Sequence, residues 1–192
     1  MHHLEPYQTN LTLEGETVLT LTGEHLSFPE FRRINRYYKE LECRWENHWK
    51  QELYWQACLS LAEKREKSRH FSPFQVSFRP KVDTISETIL TVHLTIEEIC
   101  HAKYPYVVTL HDHWDLTEQI PLSPRKLIAK LGETHPKKAL LDAGPHETYP
   151  QRRAWFSPKN LFLTQDGYGI FYPQATIAPP SRATPHLFLK LR

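Results

Sequence analysis

The residues whose types and spacing suit chemistry are concentrated in His111-Asp112-His113-Trp114-Asp115. On an extended strand alternate side chains share a face, so His111, His113 and Asp115 would point the same way and offer two imidazoles and a carboxylate to a zinc ion. A catalytic site of this kind leaves its fourth position to water, which the metal makes acidic. His93 and His101 are candidates to join from the neighbouring strand. The competing reading gives these residues ordinary strand-face or capping roles. Cys100 next to His101 makes a poor nucleophile and base, because sequence neighbours on a strand face opposite ways. Cys100 reads instead as a small apolar residue.

A second constellation is aromatic. Tyr37, Tyr38, Trp45, Trp49, Tyr54 and Trp55 crowd one segment, and such side chains dominate both cores and interface hot spots. Trp55 falls off the main apolar stripe and is the preferred exposed contact. With Cys100, His101 and Tyr104 it makes up the candidate binding set, for a protein or glycan partner or for a homodimer through the aromatic helix. There is no Gly-x-Ser-x-Gly elbow, phosphate-cradling glycine loop or dinucleotide fingerprint. The expectation is therefore a protein without a cofactor that is not an enzyme, with a metal-dependent hydrolase at His111, His113 and Asp115 as the alternative.

The elements that must position these residues follow from periodicity. Residues 11–28 alternate as a strand or hairpin with a threonine face. Ser27-Phe28-Pro29-Glu30 reads as a capping box opening a helix. From there Phe31, Ile34, Tyr38, Leu41, Trp45, Trp49, Leu53, Ala57 and Leu61 recur at three- and four-residue steps, one buried helical face. Carried to residue 68 this helix would be ~60 Å long, so a change of direction is expected after Tyr54, where Trp55, Cys58 and Leu59 leave the stripe. Strands are predicted at 71–81, 88–96 and 106–116, a proline-led helix at 123–131, a loop-like or weakly helical region at 132–151, a hairpin at 161–172 turning on Asp166-Gly167, and a closing strand at 186–191. The fold class is α+β: a long N-terminal helix packed on an antiparallel sheet, in 11–100, then a smaller strand, short-helix and hairpin subdomain in 104–192.

Composition limits the partners. With 40% hydrophobic and 24% charged residues among 192, the chain is an ordinary globular protein. A net charge of +2 argues against a nucleic-acid-binding surface. Lys and Arg are in excess only locally, between Pro121 and Asn160, which reads as a solvated face or as the mark of an anionic partner. The first residues lack the basic and apolar regions of a secretory signal, and no apolar run approaches the ~18 residues of a membrane span. Taken as complete, the chain is expected to be soluble and cytoplasmic. Three cysteines do not make a disulfide framework, and Cys43 and Cys58 on one helix would lie roughly 22 Å apart.

The closing stretch Asn160-Leu-Phe-Leu-Thr-Gln-Asp-Gly-Tyr-Gly-Ile-Phe-Tyr-Pro-Gln-Ala-Thr-Ile-Ala-Pro-Pro180, with Trp114-Asp-Leu-Thr-Glu-Gln-Ile-Pro-Leu-Ser-Pro-Arg-Lys-Leu-Ile128, resembles a bacterial domain family of unknown function. That family occurs in the outer domain of the lysozyme-sensing anti-sigma factor and in the non-catalytic region of a peptidoglycan deacetylase. The resemblance covers nearly the whole chain, with residues 17–98 matching its first part and a second part beginning near Tyr106. It implies an extracytoplasmic, sensor-like binding role without catalysis. The family's Thr-Gly-Gly-Ala-His-Gly link is replaced by Cys100-His-Ala-Lys-Tyr-Pro105, and the family's membrane anchor has no counterpart here. Without those glycines the link must take another course.

Overall fold

Two stretches of chain that open with a β-hairpin or close with one supply most of the architecture. The structure is a computed structural model describing residues 2–100, 103–130, 132, 135–143 and 151–190. It separates into two units, Met1–Arg79 with Ile96–Pro105, and Pro80–Thr95 with Tyr106–Arg192. The chain order is β1 (His3–Leu13), β2 (Glu16–Ser27), α1 (Arg32–His48), a π-helical turn (Trp49–Leu53), α2 (Tyr54–Glu66), β3 (Phe74–Ser86), β4 (Ile89–Ile99), β5 (Tyr106–Asp115), β6 (Ile120–Leu122), α3 (Pro124–Lys130), α4 (Pro136–Ala143), β7 (Leu161–Thr164), β8 (Gly167–Phe171) and β9 (His186–Lys190). Strands β1 to β6 are hydrogen-bonded in sequence order, and β7-β8-β9 form a separate sheet. The class is α+β, as the alternation of periods implies.

In the first unit, β1 and β2 form an antiparallel hairpin turning at Glu14 and Gly15, both with positive φ. The helical run then carries the chain back so that β3 pairs with β2 in parallel. The sheet is thus mixed, where the sequence suggested an antiparallel one, because a crossover helix returns the chain in its original direction. The expected capping box does not form. Ser27 is the last residue of β2 and Phe28 is buried, so the helix begins only at Arg32 with no side-chain cap. Asn35 Oδ1 instead accepts the Phe28 N–H at 2.9 Å.

The helical stripe is buried as its spacing predicts, through Ile34, Tyr38, Trp49, Leu53, Ala57 and Leu61. Steps of four residues drift by roughly 40° each on an α-helix, so the run Trp45, Trp49, Leu53, Ala57, Leu61 would spiral off its face. The π turn at Trp49–Leu53 takes up an extra residue and cancels that drift. It lies one turn earlier than the change of direction expected after Tyr54. Arg65 closes the unit's surface, donating to Glu14 Oε2 at 2.8 Å and Glu16 Oε2 at 2.9 Å beside the hairpin turn.

The second unit includes Pro80–Thr95, which the sequence grouped with the first region. Strands β3 and β4 run longer than their apolar cores, to Ser86 and Ile99, leaving a two-residue connection. Strand β6, unmarked by periodicity, pairs antiparallel with β5 through His113–Leu122 and Asp115–Ile120. The core joins Leu127 and Ile128 of α3, Leu140 and Leu141 of α4, and Leu161, Leu163, Tyr168 and Ile170 of the β7-β8 hairpin. Each such aliphatic side chain contributes roughly 1.5–3 kcal/mol on burial. The hairpin turns on Gln165 and Asp166, not on Asp166-Gly167. Gly167 is needed for another reason: a Cβ there would run into the Leu189 carbonyl of β9.

Candidate functional site

The histidines of the second unit come together, but not in the set that strand alternation suggested. His111 Nδ1 is hydrogen-bonded to His93 Nδ1 of β4. Its ring stacks on Phe162, with centroids 4.5 Å apart and planes at 15°, and Phe171 lies 4.9 Å away. Gly169, opposite Phe162 in the hairpin, makes room for that ring, since a Cβ at 169 would strike it. His93 Nε2 lies 3.2 Å from Asp83 Oδ2, off the line of a hydrogen bond. A carboxylate at this distance favours the proton on Nε2, which leaves His93 Nδ1 bare to accept from His111 Nδ1–H.

His113, only 1% exposed, is used differently. Its Nε2 accepts the Leu163 N–H at 2.9 Å, so β7 is clasped to β5 through a side chain. That bond requires an unprotonated Nε2, which places the ring proton on Nδ1. Nδ1 has no hydrogen-bond partner among the described residues. Burial, followed by the neighbouring His93, pushes His113 down to about 4. His111 is pushed down to about 3, by burial first and then by His93, His113 and His186. His93 is also lowered by burial, against the pull of Asp83.

Asp115 does not join them. Its Oδ1 accepts the Thr117 and Glu118 N–H groups at 2.9 and 3.0 Å, capping the turn into β6. Among the described residues no group of three or more His, Cys, Asp and Glu side chains is arranged to hold a metal ion. His93 does meet His111, the cross-strand neighbour that the sequence named without a register. His101 lies outside the described residues.

In the first unit the polar chemistry is of a different kind and was not visible in the sequence. Glu98, buried at 8% exposure, accepts the Trp49 Nε1–H at 2.9 Å, with His48 Nε2 at 3.5 Å. His25 Nδ1 sits 2.6 Å from Glu42 Oε1, and Tyr7 stacks on the His25 ring at 4.3 Å. Burial raises the Glu42 carboxyl above its usual range against the pull of His25. The partners are 17 and 49 residues apart in sequence, so only the hairpin and helix packing could reveal them. Cys100 is half-buried, and burial with Glu98 pushes its thiol up to about 11, which makes it a poor nucleophile. Cys43, Cys58 and Cys100 are free thiols.

The exposed aromatic candidate stands where the stripe left it. Trp55 is 61% and Leu59 71% exposed, one helical turn apart on α2, while Ala57, Cys58 and Leu61 of the same helix are buried. Tyr104 is 36% exposed. Leu59, which the sequence noted only as off the stripe, belongs with Trp55 on one face.

The protein is α+β in two units, with Glu98 and Glu42 each set against a side-chain nitrogen in one, His93, His111 and His113 at least partly buried in the other, and an apolar helix face left open. No protein-family model and no curated protein matches the chain. Solved structures that share its fold include two described as DUF3298 family proteins. One, from Bacteroides fragilis NCTC 9343, has a TM-score of 0.66 at 14% identity, covering 99% of this chain and 90% of that one. The other, from Pseudomonas aeruginosa PAO1, has a TM-score of 0.61 at 15% identity with the same coverage. The likeness is one of fold, to bacterial domains of unknown function. No helix among the described residues is long and apolar enough to cross a membrane.

Proposed function

We propose that the chain is a non-catalytic binding module whose protein partner docks on the open face of α2. The observation that carries this reading is the Trp55 and Leu59 pair, exposed side by side on a helix whose opposite face is fully packed. Core packing does not require either side chain, and an aromatic anchor of this type is worth ~2 kcal/mol or more when an interface buries it. Of the acids beside the pair, Glu63 is paired with Lys67, and Glu52 Oε2 lies 3.1 Å from His48 Nδ1. The resemblance to the anti-sigma factor's outer domain makes lysozyme and peptidoglycan fragments the first partners to try.

Calorimetric titration of the folded protein with each is the test. Saturable binding to lysozyme supports the reading, while silence with both partners, combined with no self-association, counts against it. A second copy of the chain is the competing occupant of the same face. Light scattering separates the two, because a dimer mass that reverts to monomer when Leu59 is made polar would assign the face to self-association. The metal-dependent hydrolase reading draws no support from the geometry, since His113 Nε2 and Asp115 Oδ1 are spent on backbone amides. Stoichiometric zinc, manganese or iron in unchelated protein would revive it.

A further inference from the structure

The local excess of Lys and Arg in the second unit does not spread over a featureless surface. Arg125 of α3, Lys137 and Lys138 of α4, and Arg153 line a cavity of about 610 Å³, a size suited to a small molecule, and among the described residues Asp142 is the one lining carboxylate. None of the four cations makes an ion pair among the described residues. The cavity wall beneath them is apolar. Leu141 and Leu161 are buried there at 4% and 1% exposure, and Phe156 offers a ring over which Lys137 Nζ stands, 5.3 Å from the centroid. Gathering four cations around an apolar floor, with Asp142 the one acid among the described lining residues, is unfavourable, and a bound anion would offset that repulsion.

We propose that this cavity binds a small ligand with an anionic head, carboxylate or phosphate, and a flat apolar body. The head meets Arg125, Lys137 and Arg153, whose planar guanidinium forks suit two-oxygen anions and whose ammonium adds a point charge. The body lies on Phe156 and Leu141. Neither part alone suffices: an inorganic anion leaves the floor wet, and a neutral aromatic leaves the cations unpaired. The wall that positions the cations is rigid on its inner side. Arg152, buried next in sequence to Arg153, donates from Nη2 to the Leu141 carbonyl at 2.9 Å near the end of α4, and the Tyr172 hydroxyl donates to the Arg152 carbonyl at 3.2 Å. This site is independent of the α2 face in the first unit.

Phenyl phosphate is the probe, titrated calorimetrically into the full chain beside inorganic phosphate and phenol. One-to-one saturation by phenyl phosphate, with both controls at least about tenfold weaker, is the expected result. Lys137→Gln with Arg153→Gln should weaken phenyl phosphate at least about tenfold while circular dichroism shows the fold retained. Phe156→Leu, which keeps an apolar floor but removes the ring, should weaken phenyl phosphate and leave inorganic phosphate unchanged. No saturable binding of phenyl phosphate by folded protein overturns the proposal. So does inorganic phosphate binding as tightly as phenyl phosphate, or affinity that survives the double substitution.

Discussion

The two units bury polar side chains by opposite rules. In the first, buried Glu98 and partly buried Glu42 each face a side-chain nitrogen: Glu98 takes the Trp49 indole N–H and Glu42 lies against His25 Nδ1. In the second, His113 is buried and His93 and His111 are partly buried; these two bond to each other, His111 stacks on Phe162, and Asp83 Oδ2 lies 3.2 Å from His93 Nε2. A buried imidazole that must accept a hydrogen bond keeps it only while neutral. Histidine clusters invite a catalytic or metal reading, yet here Asp115 stands apart and caps a turn, while His113 Nε2 is taken by a backbone amide.

The largest effect should come from acid. The folded values of His93, His111 and His113 lie below the ordinary histidine value of 6.5. The unfolded chain therefore binds more protons than the native one as pH falls below about 6.5, and stability falls with pH at about 1.4 kcal/mol per unit for each histidine involved. The contribution is fully present above about pH 6.5 and is lost on the way down to about pH 3, where the lowest folded value lies. Urea denaturation at pH 7.5 and 4.5 should show a loss of several kcal/mol. Equal midpoints would mean that the imidazoles are solvated and that the two units do not differ.

His113→Leu comes next. It leaves the Leu163 N–H without its acceptor, at a cost of about 1–3 kcal/mol at neutral pH. It should also flatten the acid limb, which a merely disruptive substitution would not do. Trp49→Phe should cost about 2 kcal/mol, because it strips a buried carboxylate of its hydrogen bond. The acid limb should keep its slope in that variant, since no histidine of the second unit is touched. Trp55→Ser with Leu59→Ser is expected to change stability by no more than about 0.5 kcal/mol, as for other exposed positions. A large loss would show that this face is part of the fold and not a docking surface.

How much of this the sequence disclosed depends on the range of the interaction. The helical stripe, the closing strand and the period-two strands were legible because burial repeats locally. The π turn was not, because four-residue steps look helical whether or not an extra residue absorbs their drift. Ser27 and Glu30 carried a capping signature, yet the hairpin extended through Ser27 and the burial of Phe28 decided the helix start. Helix α4 falls in the region that read as loop-like or weakly helical, because Gly132, Pro136 and Gly144 are loop punctuation around a short apolar run. Glycines 167 and 169 resembled a turn, but they answer to the Leu189 and Leu187 carbonyls of a strand some 20 residues on. Alternation placed His111 and His113 on one face. What each met, His93 in one case and the Leu163 amide in the other, required a register that no local pattern contains.

The proposal that a protein partner docks on the α2 face predicts that its binding does not depend on the histidine cluster. Calorimetric titration of lysozyme into wild type, Trp55→Ser/Leu59→Ser and His113→Leu, all at pH 7.5 and all checked for folding, separates the two. The predicted result is binding by wild type and by the histidine variant, with at least about tenfold loss in the helix variant. Undiminished binding by the helix variant, or loss only in the histidine variant, would contradict the claim.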